Sequence, residues 1–178
     1  MDWEMKANLA DILTFSRMLL AAPVVFFLLK DGPYCHLLAL LFFSAASITD
    51  FLDGYAARVQ GTVSEFGGKL DPFADKVLVI SAMLGFAALG QVPPWMVIVI
   101  IARDVMVTIL RSRSARLYSP GILAKSKTAL QMSAVVFLLL MRWLGTGNGA
   151  PPAIAYPVML GVVVITIASG LEYFFRRS

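Results

Sequence analysis

The sequence predicts an all-α, polytopic integral membrane protein with six transmembrane helices in one bundle. Three observations predict it. The 178 residues are 59% hydrophobic and 15% charged, with a mean hydropathy of +0.80; a water-soluble domain is usually about 45–50% apolar and about 25% charged. Six apolar stretches reach the roughly 20 residues that a helix needs to cross the hydrocarbon. Lys and Arg gather in alternate connections, which is how membrane topology is encoded. A single domain over residues 1–178 follows, because no connection is long enough to be a linker and no internal repeat stands out.

The spans fall at roughly 9–29, 34–57, 70–89, 93–112, 124–143 and 153–173. The N-terminal "MDWEMKANLADILTFSR" has no basic n-region, and the apolar run continues through "AAP" at Ala21–Pro23. The first helix therefore reads as retained rather than cleaved. Turn chemistry follows the first span at "KDGPY", the third at "GQVPP" and the fifth at "GTGNGAPP". Pro72 is expected in the opening turn of the third helix, where its missing N–H costs little. One set of connections, together with both termini, holds Lys6, Arg58, Lys69, Arg111, Arg113, Arg116, Lys125, Lys127, Arg176 and Arg177, whereas the opposite set holds Lys30 and Arg142. The richer side is expected to face the cytoplasm, which puts both termini there. Trp95 and Trp143 fall at the opposite boundary, where indoles prefer to sit.

The isoelectric point is about 9.4, yet the basic residues lie between helices and no basic-aromatic face accompanies them, so no nucleic acid partner is expected. A single cysteine, Cys35, excludes an internal disulfide. Its neighbour His36 reads with it as an interfacial pair, and the methionines and phenylalanines read as packing and lipid contact.

The segment "DFLDGYAARVQGTVSEFGGKLDPFADK" (Asp50–Lys76) breaks the apolar pattern. Asp50 and Asp53 are three residues apart near the end of the second helix, and Asp71 and Asp75 are four apart near the start of the third. Both spacings put two carboxylates on one helix face, and a short connection makes the helices antiparallel neighbours, so the pairs can converge. Converging carboxylates repel in a low dielectric unless cations neutralise them. All-oxygen ligation with no His or Cys nearby suits Mg²⁺ or Mn²⁺. Gly54 and Gly67 allow a ligand close to the backbone, and Arg58 can fork onto a phosphate. The bland alternative is a structural cation site, or helix-end charges solvated at the interface. Intramembrane carboxylates are more often functional.

Asp50-Phe-Leu-Asp53-Gly54-Tyr-Ala-Ala57-Arg58, then eight residues, then Gly67-x-x-x-Asp71-x-x-x-Asp75 resembles the signature of the CDP-alcohol phosphotransferase family. "NLADILTFSR" (Asn8–Arg17) is similar to that family's first-helix motif, with Ala10 and Asp11 in place of the usual Pro-Asn. "IARDVMVTILR" (Ile101–Arg111) and "AKSKTALQM" (Ala124–Met132) are similar to segments of its bacterial phosphatidylglycerophosphate synthases, with Asp104 in place of Glu and Ala124 in place of Gly. The "RD" form also resembles the cardiolipin synthases of this family. The resemblance implies transfer of a phosphatidyl group from CDP-diacylglycerol to an alcohol, foremost glycerol 3-phosphate, with release of CMP. It implies two divalent cations on Asp50, Asp53, Asp71 and Asp75, with Asp75 also the general base. Asp50, Asp53, Gly54, Ala57, Arg58 and Gly67 would hold the CDP moiety. It further implies a multi-pass homodimer in the cell membrane, with its site at the cytoplasmic face among membrane lipids.

A dianionic acceptor needs a basic, water-open site. Arg103 lies inside the fourth span and needs a partner, either Asp104 or a phosphate. Arg111, Lys125 and Lys127 match the synthase-like segments and join Arg103 as candidate phosphate ligands, with Thr14 and Arg17 contributing from the first helix. Arg113 and Arg116 read as ordinary cytoplasmic-side charge. Two alternatives stand beside this reading. One keeps the donor and changes the acceptor to phosphatidylglycerol, inositol phosphate or serine. The other is a cation or proton transporter with carboxylates lining a pathway, although such proteins carry polar groups through the midplane on broken helices.

Overall fold

The computed structural model describes residues 19–60, 67–113, 122–145 and 153–175, with side chains described over 19–49, 76–109, 127–145 and 153–171. Among the described residues there are six helices and no strand. Helix α1 covers 19–29, α2 Pro33–Gln60, α3 Gly67–Ala88, α4 Pro94–Arg113, α5 Ile122–Trp143 and α6 Ala155–Phe175. The all-α class and all six expected helices are present, and the expected start of the first, 9–18, lies outside the described residues.

The breaks follow from backbone chemistry. Helices α2 and α4 open on Pro33 and Pro94, where fixed φ is pre-organised and no N–H partner is lost. Helix α3 closes through Gly90 at φ 69°. The Gly90 N–H donates to the Ala87 carbonyl and the Gln91 N–H to the Phe86 carbonyl, each at 3.0 Å, as in a left-handed glycine cap. Helix α5 ends the same way through Gly145 at φ 72°. One expectation is corrected. Helix α3 starts at Gly67, so Pro72 is its sixth residue and lies beyond the opening turn. The helix runs through it and forgoes the bond that an N–H there would give the Gly68 carbonyl.

The chain divides into two compact units, Met1–Gly85 and Phe86–Ser178, with the division inside α3. In the first unit Val24, Leu28, Ala39, Phe43, Leu78 and Met83 form the core. The rings of Phe27 on α1 and Phe42 on α2 stack at 5.8 Å. A Cβ at Gly85 would lie 2.6 Å from Leu28 Cδ2, so α1 and α3 approach closely there because residue 85 lacks a side chain. In the second unit α6 packs on both α4 and α5, over a core that includes Met96, Ile100, Leu138, Leu139 and Met159.

Polarity in the second unit is inverted relative to a water-soluble domain. Leu160, Val164, Ile167 and Leu171 recur at helical spacing on the exposed face of α6, whereas Thr166 and Ser169 are buried. On α4 the exposed residues include Trp95, Ile98, Val105 and Ile109, and the buried ones include Asp104. Lys127, Gln131 and Arg142 are buried as well, against the usual exposure of such residues. Among the described residues no helix is long and apolar enough to cross a membrane.

Candidate active site

The acidic string occupies consecutive helices. Asp50, Asp53, Gly54, Ala57 and Arg58 lie on α2, and Gly67, Asp71 and Asp75 lie on α3. At about 100° per residue, spacings of three and four keep the members of each aspartate pair within about 60° around the helix. The side chains of all eight lie outside the described residues. Among the described residues no group of three or more His, Cys, Asp or Glu is assembled. The donor chemistry of the string itself is four carboxylates without sulfur or imidazole, a set that fits a hard divalent cation.

A second cluster joins three helices of the second unit. Lys127 on α5 donates from its ammonium to Asp104 Oδ1 on α4. Arg103 Nη1 meets the same oxygen at 3.3 Å, and Arg103 Nη2 donates to Ser169 Oγ on α6 at 2.8 Å. The Ser169 hydroxyl donates in turn to the Thr166 carbonyl at 2.9 Å, and Thr108 Oγ1 donates to the Asp104 carbonyl at 2.7 Å. Asp104 and Lys127 are buried, so their mutual attraction acts in a low dielectric and offsets the cost of desolvating both charges.

Of the residues expected to bind the acceptor phosphate, Arg103 and Lys127 are brought together, and both engage Asp104. Of the two partners expected for Arg103, Asp104 or a phosphate, Asp104 is met here, together with Ser169. Arg111 lies on α4 and Lys125 on α5 with side chains outside the described residues, and Thr14 and Arg17 lie outside them altogether. Ser169 was not anticipated: a small hydroxyl in an apolar helix gives no sign of a partner on another helix. Arg142, counted in sequence among the outer-side charges, is buried, and the Lys30 ammonium sits over the Phe26 ring at 4.5 Å.

The profile of the CDP-alcohol phosphatidyltransferases matches residues 7–168, running through both units. The chain belongs to the CDP-alcohol phosphatidyltransferase family. It is 33% identical over 178 residues to the "Probable phosphatidylglycerophosphate synthase" of Mycobacterium tuberculosis, covering 96% of this chain and 81% of that one. It is 38% identical over 152 residues to the CDP-diacylglycerol–glycerol-3-phosphate 3-phosphatidyltransferase of Bacillus subtilis, with 82% and 76% covered. A protein of the same name from Rickettsia bellii is 34% identical over 176 residues, with 94% and 93% covered. CDP-alcohol phosphatidyltransferases are membrane-bound and generally divalent-cation-dependent; this chain is a transferase by family, and the transporter alternative falls.

Proposed function

We propose that the chain transfers the phosphatidyl group of CDP-diacylglycerol to sn-glycerol 3-phosphate, giving phosphatidylglycerophosphate and CMP. One observation carries this reading: 34% to 38% identity over most of the chain with relatives whose names state that donor and that acceptor. The family string on α2 and α3 supplies the residues. Asp75 accepts the proton of a glycerol 3-phosphate hydroxyl as that oxygen bonds to the phosphatidyl phosphorus. The bond from this phosphorus to the bridging diphosphate oxygen breaks, and CMP leaves with the electron pair. Asp50, Asp53, Asp71 and Asp75 would hold two divalent cations, Mg²⁺ or Mn²⁺, which when bound neutralise the diphosphate charge. Gly54, Ala57, Arg58 and Gly67 hold the CDP moiety. Arg103, Arg111 and Lys125, with Thr14 and Arg17, receive the acceptor phosphate, whereas Lys127, buried against Asp104, holds the carboxylate that Arg103 also meets.

The proposal places this machinery in one membrane domain of six spans, with both termini and the site at the cytoplasmic face of the cell membrane. The polarity of the helix faces supports it. The outward faces of α4 and α6 are apolar, and Trp95 and Trp143 stand exposed at helix ends, as in an interfacial aromatic belt. The donor's acyl chains stay in the bilayer, so its diphosphate reaches only interface depth. A homodimer rests on the family resemblance.

The test is CMP release by the purified protein with Mg²⁺, CDP-diacylglycerol and a panel of acceptors. Release with glycerol 3-phosphate is expected, and Lys125→Ala should raise the KM for that acceptor. Release with phosphatidylglycerol alone would move the chain to the cardiolipin-forming branch. No release with any alcohol would end the transferase reading.

A further inference from the structure

We propose that Ser169 of α6 positions the Arg103 guanidinium, which makes Ser169 a determinant of acceptor affinity. The inference rests on the reading that Arg103 receives the acceptor phosphate. Ser169 Oγ accepts from Arg103 Nη2 at 2.8 Å, between residues 66 apart in the chain. The hydroxyl proton is committed to the Thr166 carbonyl at 2.9 Å, which turns the oxygen's lone pairs toward the guanidinium. Ser169 is buried, and a hydrogen bond to an ionised group is stronger where water is excluded.

The Arg103 stem passes beside Gly170 at ordinary van der Waals distance. A Cβ there would lie 3.4 Å from Arg103 Cγ and 3.5 Å from Arg103 Nε, so the arginine stem runs against the α6 backbone. On the other side of the fork, Arg103 Nη1 engages Asp104 Oδ1 at 3.3 Å. The two terminal nitrogens are thus held from different helices, and the planar group cannot turn without losing one of them. An arginine ordered in advance gives up little freedom when it binds phosphate, so the gain appears as acceptor affinity.

Steady-state kinetics on the purified full-length enzyme test this, with the KM for glycerol 3-phosphate and for CDP-diacylglycerol measured separately. Ser169→Ala is expected to raise the acceptor KM about tenfold, about 1.4 kcal/mol, the size expected for one hydrogen bond to a charged group. The donor KM should stay within about twofold, on the reasoning that only interactions with the altered group change. Ser169→Thr keeps a hydroxyl and should recover most of the loss. Adding Ser169→Ala to Arg103→Ala should change nothing further, because the two residues act through one bond. If Arg103→Ala leaves the acceptor KM unchanged, the reading of Arg103 fails and the inference with it. If Arg103→Ala raises it while Ser169→Ala does not, or Ser169→Ala raises both KM values alike, the positioning role fails and Arg103 keeps its own. Should Arg103→Ala not fold, the Ser169→Ala and Ser169→Thr pair decides the positioning role alone.

Discussion

Asp104→Leu is the substitution with the largest expected effect on the stability of the second unit. It removes the carboxylate that Lys127 and Arg103 share. The Lys127 side chain is 4% exposed and that of Asp104 7%, so neither water nor salt screens the pair. Removing one partner of a buried pair costs about 3–5 kcal/mol, because the remaining charge stays in the interior without its counter-charge. Arg103 adds less, since it is 14% exposed and keeps its bond to Ser169. At roughly 2–4 °C per kcal/mol for a chain of this size, the melting temperature should fall by roughly 6–20 °C. Asp104→Leu combined with Lys127→Met removes both charges and fills the space with apolar side chains of similar volume. That variant should return to within about 1 kcal/mol of the parent. Thermal unfolding in detergent, followed by circular dichroism over the full double-mutant cycle, gives the coupling directly. A loss below about 1 kcal/mol in the single variant, or a double variant that loses the sum of the two singles, would refute the buried-pair reasoning.

Gly85→Ala should destabilise the first unit by about 1–3 kcal/mol through overpacking, because its Cβ would lie 2.6 Å from Leu28 Cδ2. Adding Leu28→Ala should remove the clash, and a Gly85→Ala variant stabilised by the full gain of about 1 kcal/mol that alanine has over glycine in a helix interior would contradict the close approach of α1 and α3. Asp50→Asn, Asp53→Asn and Asp71→Asn should each lower kcat by about 10²–10³-fold or more, the scale of losing one electrostatic group at a reacting phosphate, with helical circular dichroism retained. Substantial turnover in any of them would remove that residue from the proposed metal site. Chelation with EDTA should stop CMP release, and Mg²⁺ or Mn²⁺ should restore it. Activity that persists in excess chelator would exclude the divalent-cation reading.

Helix positions were legible at the breaks after α1, α3 and α5, where glycine or proline ends or opens a helix by itself. Gly90 and Gly145 adopt positive φ, and Pro33 and Pro94 pre-set the first turn. Helix α3 starts three residues before the expected position, because it extends through Gly67-Gly68 despite the low helix propensity of glycine. The acidic string was legible for a different reason. Its chemistry is written in intervals along two consecutive helices, and intervals along the chain are unchanged by folding. Ser169 was not legible. A hydroxyl inside an apolar helix ordinarily bonds a carbonyl three or four residues back, as Ser169 does with Thr166. Only the packing of α6 on α4 makes it a partner for Arg103 too.

Lys125 and Lys127 mark the boundary between the two kinds of information. They stand two residues apart among 15 Lys and Arg, and as letters they are interchangeable. Composition, the run of apolar segments and the family string needed nothing beyond chain order, because they depend on residue type and interval. The burial of Lys127 against Asp104 depends on where α4 and α5 come to lie. Coulomb energy is set by separation and local dielectric, and neither quantity exists for residues 23 positions apart until the helices have packed.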